Sequence, residues 1–181
     1  FTVTDTWEAG EETDNALVEV IDDIAYIGLN GIGVARYDIQ NNEWLTTWTQ
    51  NNVLDSGNED VTGLVADFRP GYIWVGGGDG FQLLNVSTGA EVYDIEKTSS
   101  LYSGSGDPYD MVIYGDTLYY HQQYSSDSVY RIDIANFSLK SSLDAGQQVD
   151  ENGGDVYGVE IIGDVLHVSV ASGQWWNTQG S

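Results

Sequence analysis

Cysteine is absent from this chain, so no disulfide staples it and no thiol serves as nucleophile, redox centre or metal ligand. Basic residues are nearly absent too: 5 Lys and Arg stand against 29 Asp and Glu, a formal net charge of -24. A surface of that sign repels phosphate backbones and anionic headgroups, which excludes nucleic acid as a partner. Apolar runs are short, none nearing the roughly 18 residues of a membrane-spanning helix, so membrane insertion is not expected. No capped 3.6-residue periodicity is sustained, which leaves at most single helical turns in loops such as Asn51–Asn58. The opening FTVTDTW carries neither an initiator Met nor a signal pattern and reads as a processed or excised segment.

What is present is apolar enough to fold. Of 181 residues, 41% are hydrophobic, with 6 Trp and 12 Tyr, far beyond a disordered acidic tail. The length suits one domain with its own core. Excess carboxylate suits cations or salty surroundings, and equally serves plain solubility.

The chain repeats itself. Three segments align without a gap: Asp14–Gly28 (DNALVEVIDDIAYIG), Asp107–His121 (DPYDMVIYGDTLYYH) and Asp155–Ser169 (DVYGVEIIGDVLHVS). Each has an apolar residue four after its Asp (Val18, Met111, Val159), an Asp in a turn (Asp23, Asp116, Asp164) and then an aromatic-type position (Tyr26, Tyr119, His167). Asp60–Gly76 joins the set, with Leu64 and Trp74 in register once two extra residues around Arg69-Pro70 are allowed. Within it, YIWVGGGDGF (72–81) predicts a buried strand, a tight reversal over Gly76–Gly80 and a partner strand from Phe81.

The copies start at 14, 60, 107 and 155, a spacing of 46 to 48 residues that suits a four-stranded sheet repeated radially. The expected fold is an all-β β-propeller of about four four-stranded blades, near 14–50, 60–96, 107–144 and 155–181 plus 1–8. Phe1–Trp7 mirrors the outer-strand run Leu45–Trp48 and would complete the last blade, with Trp175–Gln179 as its third strand. That arrangement closes a four-blade ring; a segment cut from a larger propeller would look the same.

IWVGGGDG followed by NVSTG and preceded by DVTGLVAD resembles the two-component-regulator propeller repeat, and the first copy, AYIGLNGIGVARYDIQNNEW, resembles it with Tyr26 in place of Trp. The third and fourth copies depart, with His121 and Ser169 where the second has Gly76, and resemble generic propeller blades. The resemblance implies an exported module, periplasmic or extracellular, that senses or binds a ligand. It transfers no catalytic residue.

Candidate binding residues follow from the repeat. Asp14, Asp60, Asp107 and Asp155 each precede an inner strand and would converge at one face of the ring, where carboxylates bind Ca²⁺ or sugar hydroxyls. Each equally suits capping its own turn. Acidic, Gly-rich loops at 55–60, 104–107 and 150–155 add Asp55 to the Ca²⁺ candidates, although none fits the twelve-residue calcium loop. Trp175 and Trp176, flanked by Gln174 and Asn177, suit either stacking on a sugar or packing between blades. His121 and His167 promise too few partners for a transition metal and are expected at a blade interface or in solvent. GLNGIG (28–33) imitates a phosphate loop but runs into a strand, not the helix that chemistry needs.

The function expected is a non-catalytic binding module for a protein or glycan, with Ca²⁺ as the one cofactor suggested. A glycan-acting hydrolase or lyase, which needs paired channel carboxylates, is the alternative. The third reading is an assembly module in which a homodimer builds a larger ring.

Overall fold

A computed structural model describes residues 17–29, 31–49, 60–78, 80–96, 99–102, 106–122, 128–144 and 154–172. All regular structure among them is strand, arranged in four sequential antiparallel sheets, here called blades. Blade 1 is β1 (Leu17–Ile21), β2 (Ile24–Leu29), β3 (Gly33–Asp38) and β4 (Glu43–Thr49); blade 2 is β5 (Val61–Ala66), β6 (Tyr72–Gly77), β7 (Gly80–Asn85) and β8 (Glu91–Glu96). Blade 3 is β9 (Pro108–Tyr114), β10 (Thr117–Gln122), β11 (Ser128–Asp133) and β12 (Ser138–Asp144), and blade 4 has β13 (Gly154–Ile162) and β14 (Val165–Ser172). The four repeat copies become the four blades. Asp14, Asp55, Phe1–Trp7, the 51–58 loop, Trp175 and Trp176 lie outside the described residues.

Short-range chemistry sets the hairpins. Ile21 pairs Ile24 across Asp22-Asp23, both in the left-handed region at φ 48° and 64°, a turn that matches strand twist and that Asp tolerates. Gly115-Asp116 and Gly163-Asp164 turn the chain at the same position in blades 3 and 4, with only the glycine left-handed, at φ 60° and 62°. The turn from third to fourth strand is also repeated: the side chains of Asp38, Asn85 and Asp133 accept backbone N–H bonds from Asn41, from Ser87 and Thr88, and from Ala135 and Asn136. The glycine-rich reversal in blade 2 is shorter than expected. Strand pairing continues to Gly77 opposite Gly80, so two residues turn the chain and Gly76 lies inside β6.

The core lies between blades. Tyr26, Trp48, Val61, Leu64, Ile73 and Val75 join blade 1 to blade 2. Trp74, Phe81, Met111, Leu118 and Tyr120 join blade 2 to blade 3, with Phe81 edge-on to Tyr120 at 4.8 Å between ring centres. Val129, Val156 and Val159 join blade 3 to blade 4. The aromatic-type position faces the following blade in the first three copies, where Tyr26 and Trp74 are buried and Tyr119 is packed against blade 4, whereas His167 is exposed. Its counterpart facing backwards, four after each start, is buried at Leu64, Met111 and Val159 but 57% exposed at Val18. Strand packing runs from blade 1 to 2 to 3 to 4, and no extensive strand-to-strand packing among the described residues returns from blade 4 to blade 1.

Candidate functional site at the inner strands

The first strands of the blades, β1, β5, β9 and β13, pack side by side in that order. Their outward backbone edges have no further strand to pair with, so buried N–H and C=O groups there need side-chain partners. One polar side chain crosses each junction to supply them. Oε1 of Glu19 accepts from the Ala66 N–H at 3.3 Å, the Thr62 hydroxyl donates to the Pro108 carbonyl, and Oδ2 of Asp110 accepts from the Val159 N–H at 2.9 Å.

The same four strands line a cavity of about 540 Å³, within the range typical of ligand pockets, roughly 300–1,000 Å³. Its apolar lining includes Leu64, Val65, Phe68, Met111, Val112, Ile113 and Val159. Three carboxylates complete it: Glu19, Asp110 and Glu160. Among the described lining residues there is no Lys, Arg or His. Burial holds the Glu19 carboxyl above its ordinary range, the Ala66 N–H opposes this, and the charge of Glu160 adds to the rise. Asp110 is raised likewise by burial, offset by the Val159 N–H and by His121, with Glu160 again adding. The cavity thus combines aliphatic side chains with polar backbone and three carboxylates, two of which accept backbone N–H bonds.

The sequence-selected aspartates sit elsewhere. Asp60 directly precedes β5 and is exposed, Asp107 directly precedes β9 and is half-buried, and Asp155 is the second residue of β13 and exposed. Among the described residues no group of three or more His, Cys, Asp or Glu is placed to hold a metal ion. His167 is exposed, whereas His121 is buried, with Tyr109 at 5.8 Å between ring centres and the Asp110 charge acting on it.

The cavity carboxylates escaped sequence selection, although a signal existed. Glu19 and Glu160 occupy the same repeat position, five after the start, where Val65 and Val112 stand in the other copies. A charge at an otherwise aliphatic inner-strand position marks a place where the strand faces more than its neighbour.

No protein-family model matches the chain, and no curated protein matches it in sequence. Solved structures do match in fold. The chain is similar to the computationally designed Ika4 protein, with TM-score 0.60 and 16% identity over 90% of this chain and 93% of that one. It is similar to the extracellular domain of a hybrid two-component system protein from B. thetaiotaomicron, with TM-score 0.64 and 16% identity over 92% of this chain but 20% of that one. It is also similar to the WD40 repeats of RRP9, with TM-score 0.55 and 12% identity over 76% of this chain and 38% of that one. The chain therefore spans well under half of the length of these two natural relatives in fold. At such identities the likeness establishes architecture: four radial blades of antiparallel strands, a β-propeller.

Proposed function

We propose that this β-propeller is a non-catalytic binding module, exported and of the two-component-regulator type, that takes its ligand in the cavity between the inner strands. The observation that carries this reading is the cavity itself, which draws aliphatic and acidic lining residues from all four blades. Propeller sites form where inner strands converge, and a mixed aliphatic and carboxylate wall suits a ligand with an apolar body and either hydroxyls or positive charge. The export and sensing elements rest on two supports: the repeat resemblance in the first two copies, and the extracellular domain of a two-component system protein among the fold relatives.

The test is a thermal-shift and calorimetric panel of Ca²⁺, small aliphatic amines and neutral oligosaccharides, run on the wild-type chain, on Val65→Trp, which fills the cavity, and on Asp60→Asn with Asp107→Asn, which alters the strand-entry face. Binding lost in Val65→Trp and kept in the double Asn variant supports the cavity. Binding that survives Val65→Trp but disappears in the double Asn variant moves the site to the entry aspartates and refutes the cavity reading. Export is checked separately, by whether immunolabelling places the protein outside the cytoplasmic membrane of its source cell.

A further inference from the structure

His121 is 2% exposed, and among the described residues neither ring nitrogen has a hydrogen-bond partner. Buried polar atoms are almost always paired, so an imidazole with two orphaned nitrogens calls for a reason. Its place in the repeat sharpens the question. The equivalent residue is Gly28 in blade 1 and Gly76 in blade 2, and there the next blade closes directly onto the glycine, through Val61 and through Pro108 and Met111. Blade 3 carries a side chain where its predecessors carry none.

The strand opposite responds. Pairing between β9 and β10 shifts register between Tyr120 and His121, leaving Asp110 unpaired as a bulge with φ of 40°, an uncommon conformation for a residue with a side chain. From that bulge Asp110 reaches blade 4 and holds the Val159 N–H at 2.9 Å. His121 and the Asp110–Val159 contact thus belong to one junction, between blades 3 and 4.

We propose that His121 is a proton-operated wedge: neutral, it leaves blade 4 docked on blade 3, and protonated, it opens that junction and releases the Val159 amide from Asp110. An imidazolium carries two N–H donors, and among the described residues neither ring nitrogen has a well-formed hydrogen bond in the closed form, the Gln122 backbone offering only a weak contact; water, reached by opening, satisfies both. Burial accordingly holds the His121 pKa below its ordinary value, while the Asp110 charge and the backbone of Gln122 favour the cation less strongly. A group bound more weakly by protons in the closed form drives opening as pH falls through its value in the open form.

Among the described residues, the titratable groups set against the ring are Tyr109 and Asp110 of β9; beyond them Glu160 of β13 acts on Asp110, and Arg131 of β11 pairs with Tyr119 two residues before His121. Arg131 is committed to Ser141 of β12. Asp110 has the opposite linkage, because its raised carboxyl favours the closed form on protonation. An Asn at 110 keeps an oxygen for the Val159 N–H and removes that opposition.

The experiment is hydrogen exchange at the Val159 amide, corrected for intrinsic rate, at pH 7.5 and 5.5 in the full chain. With an open-state histidine near its ordinary pKa of about 6.5, protection falls by up to about tenfold at pH 5.5. Amides of the blade 2–3 core such as Leu118 stay protected, the fall deepens in Asp110→Asn, and it vanishes in His121→Gln. Unchanged protection in the wild type, or a fall shared equally by Leu118, overturns the proposal. Should His121→Gln not fold, the ring-nitrogen NMR titration of the wild type decides instead. Titration of His121 over the same pH range as the exchange change supports the wedge, and an imidazole that stays neutral through that change sinks it.

Discussion

Gly28→Ala tests how closely one blade closes on the next. Gly28 lies in β2 with no left-handed backbone requirement, so alanine fits the strand conformation and by itself should gain roughly 0.5–1 kcal/mol over glycine. The added Cβ, however, would sit 2.7 Å from Cγ1 and 3.2 Å from Cβ of Val61. Val61 is 1% exposed and β-branched, with one side-chain torsion and little room to turn. Forcing a methyl into such packing costs about 1–3 kcal/mol. The net expectation is a loss of about 1–2 kcal/mol, or roughly 2–8 °C in Tm for a chain of this size.

Gly76 supplies the control, because it occupies the same repeat position in blade 2. A Cβ there would meet Cγ of Pro108 at 3.3 Å and Cε and Sδ of Met111 at 3.5 Å. A methionine thioether can yield where a valine cannot, so Gly76→Ala should stay within about 0.5 kcal/mol of wild type. Val61→Ala closes the cycle: it removes the obstructing methyl, and Gly28→Ala added to it should no longer destabilise, a coupling of about 1–2 kcal/mol. Urea unfolding followed by Trp fluorescence, with unchanged m, reads the wild type and all four variants. Equal losses at the two glycines, or a Gly28→Ala loss that persists without the Val61 methyl, would refute close blade contact as the cause.

Thr62→Val leaves the Pro108 carbonyl without its hydroxyl donor at the junction of blades 2 and 3, and should lower stability by about 1–2 kcal/mol in urea unfolding, with Thr62→Ser restoring most of it. Gly89→Ala places a side chain at φ +70°, with its Cβ 2.5 Å from the indole nitrogen of Trp48; a loss above about 2 kcal/mol is expected, and a calorimetric Tm equal to wild type would contradict the packing described. Glu19→Gln keeps an oxygen for the Ala66 N–H and removes a charge that burial and Glu160 disfavour. A carboxyl raised in the folded state contributes stability that is present below its unfolded value and lost as pH rises through the folded one, so the variant should melt higher than wild type at pH 7 and converge with it near about pH 4. A lower Tm at pH 7 counts against that electrostatic account.

Most of the architecture was readable because the chain states it several times. Aligned apolar positions located the inner strands to within a residue or two, and the turns held by Asp38, Asn85 and Asp133 in the structure recur with the same period. Period-two alternation also tells which residues share a face, so Tyr26, Trp74, Tyr119 and His167 could be grouped before any contact was known. What alternation cannot convey is a local shift of register. The bulges that leave Thr62, Asp110 and Tyr157 unpaired move each inner strand by one residue against its neighbour. After such a shift, which of two adjacent side chains faces the next blade depends on tertiary packing rather than on pattern. Asp110 is the consequence: read by alternation it is one more polar strand residue, and in the structure it bridges two blades.

The site was harder to read for a reason that concerns repeats in general. A residue present in every copy most simply does what every copy needs, which is to make a turn or cap a strand, and the repeated aspartates drew attention because they recur. Chemistry that occurs once has to sit where the copies differ. Glu19 and Glu160 replace the valines of blades 2 and 3, and His121 replaces a glycine; each brings a titratable group to an interface that its counterparts fill with carbon or leave to backbone. These substitutions carry the energetic penalties as well. Glu19 and Asp110 are desolvated acids, and His121 is an unpaired buried imidazole. In a fold whose stability comes from repetition, departures that cost stability mark the positions where ligand or proton binding can return it, and here they gather around the inner strands and the junction of blades 3 and 4.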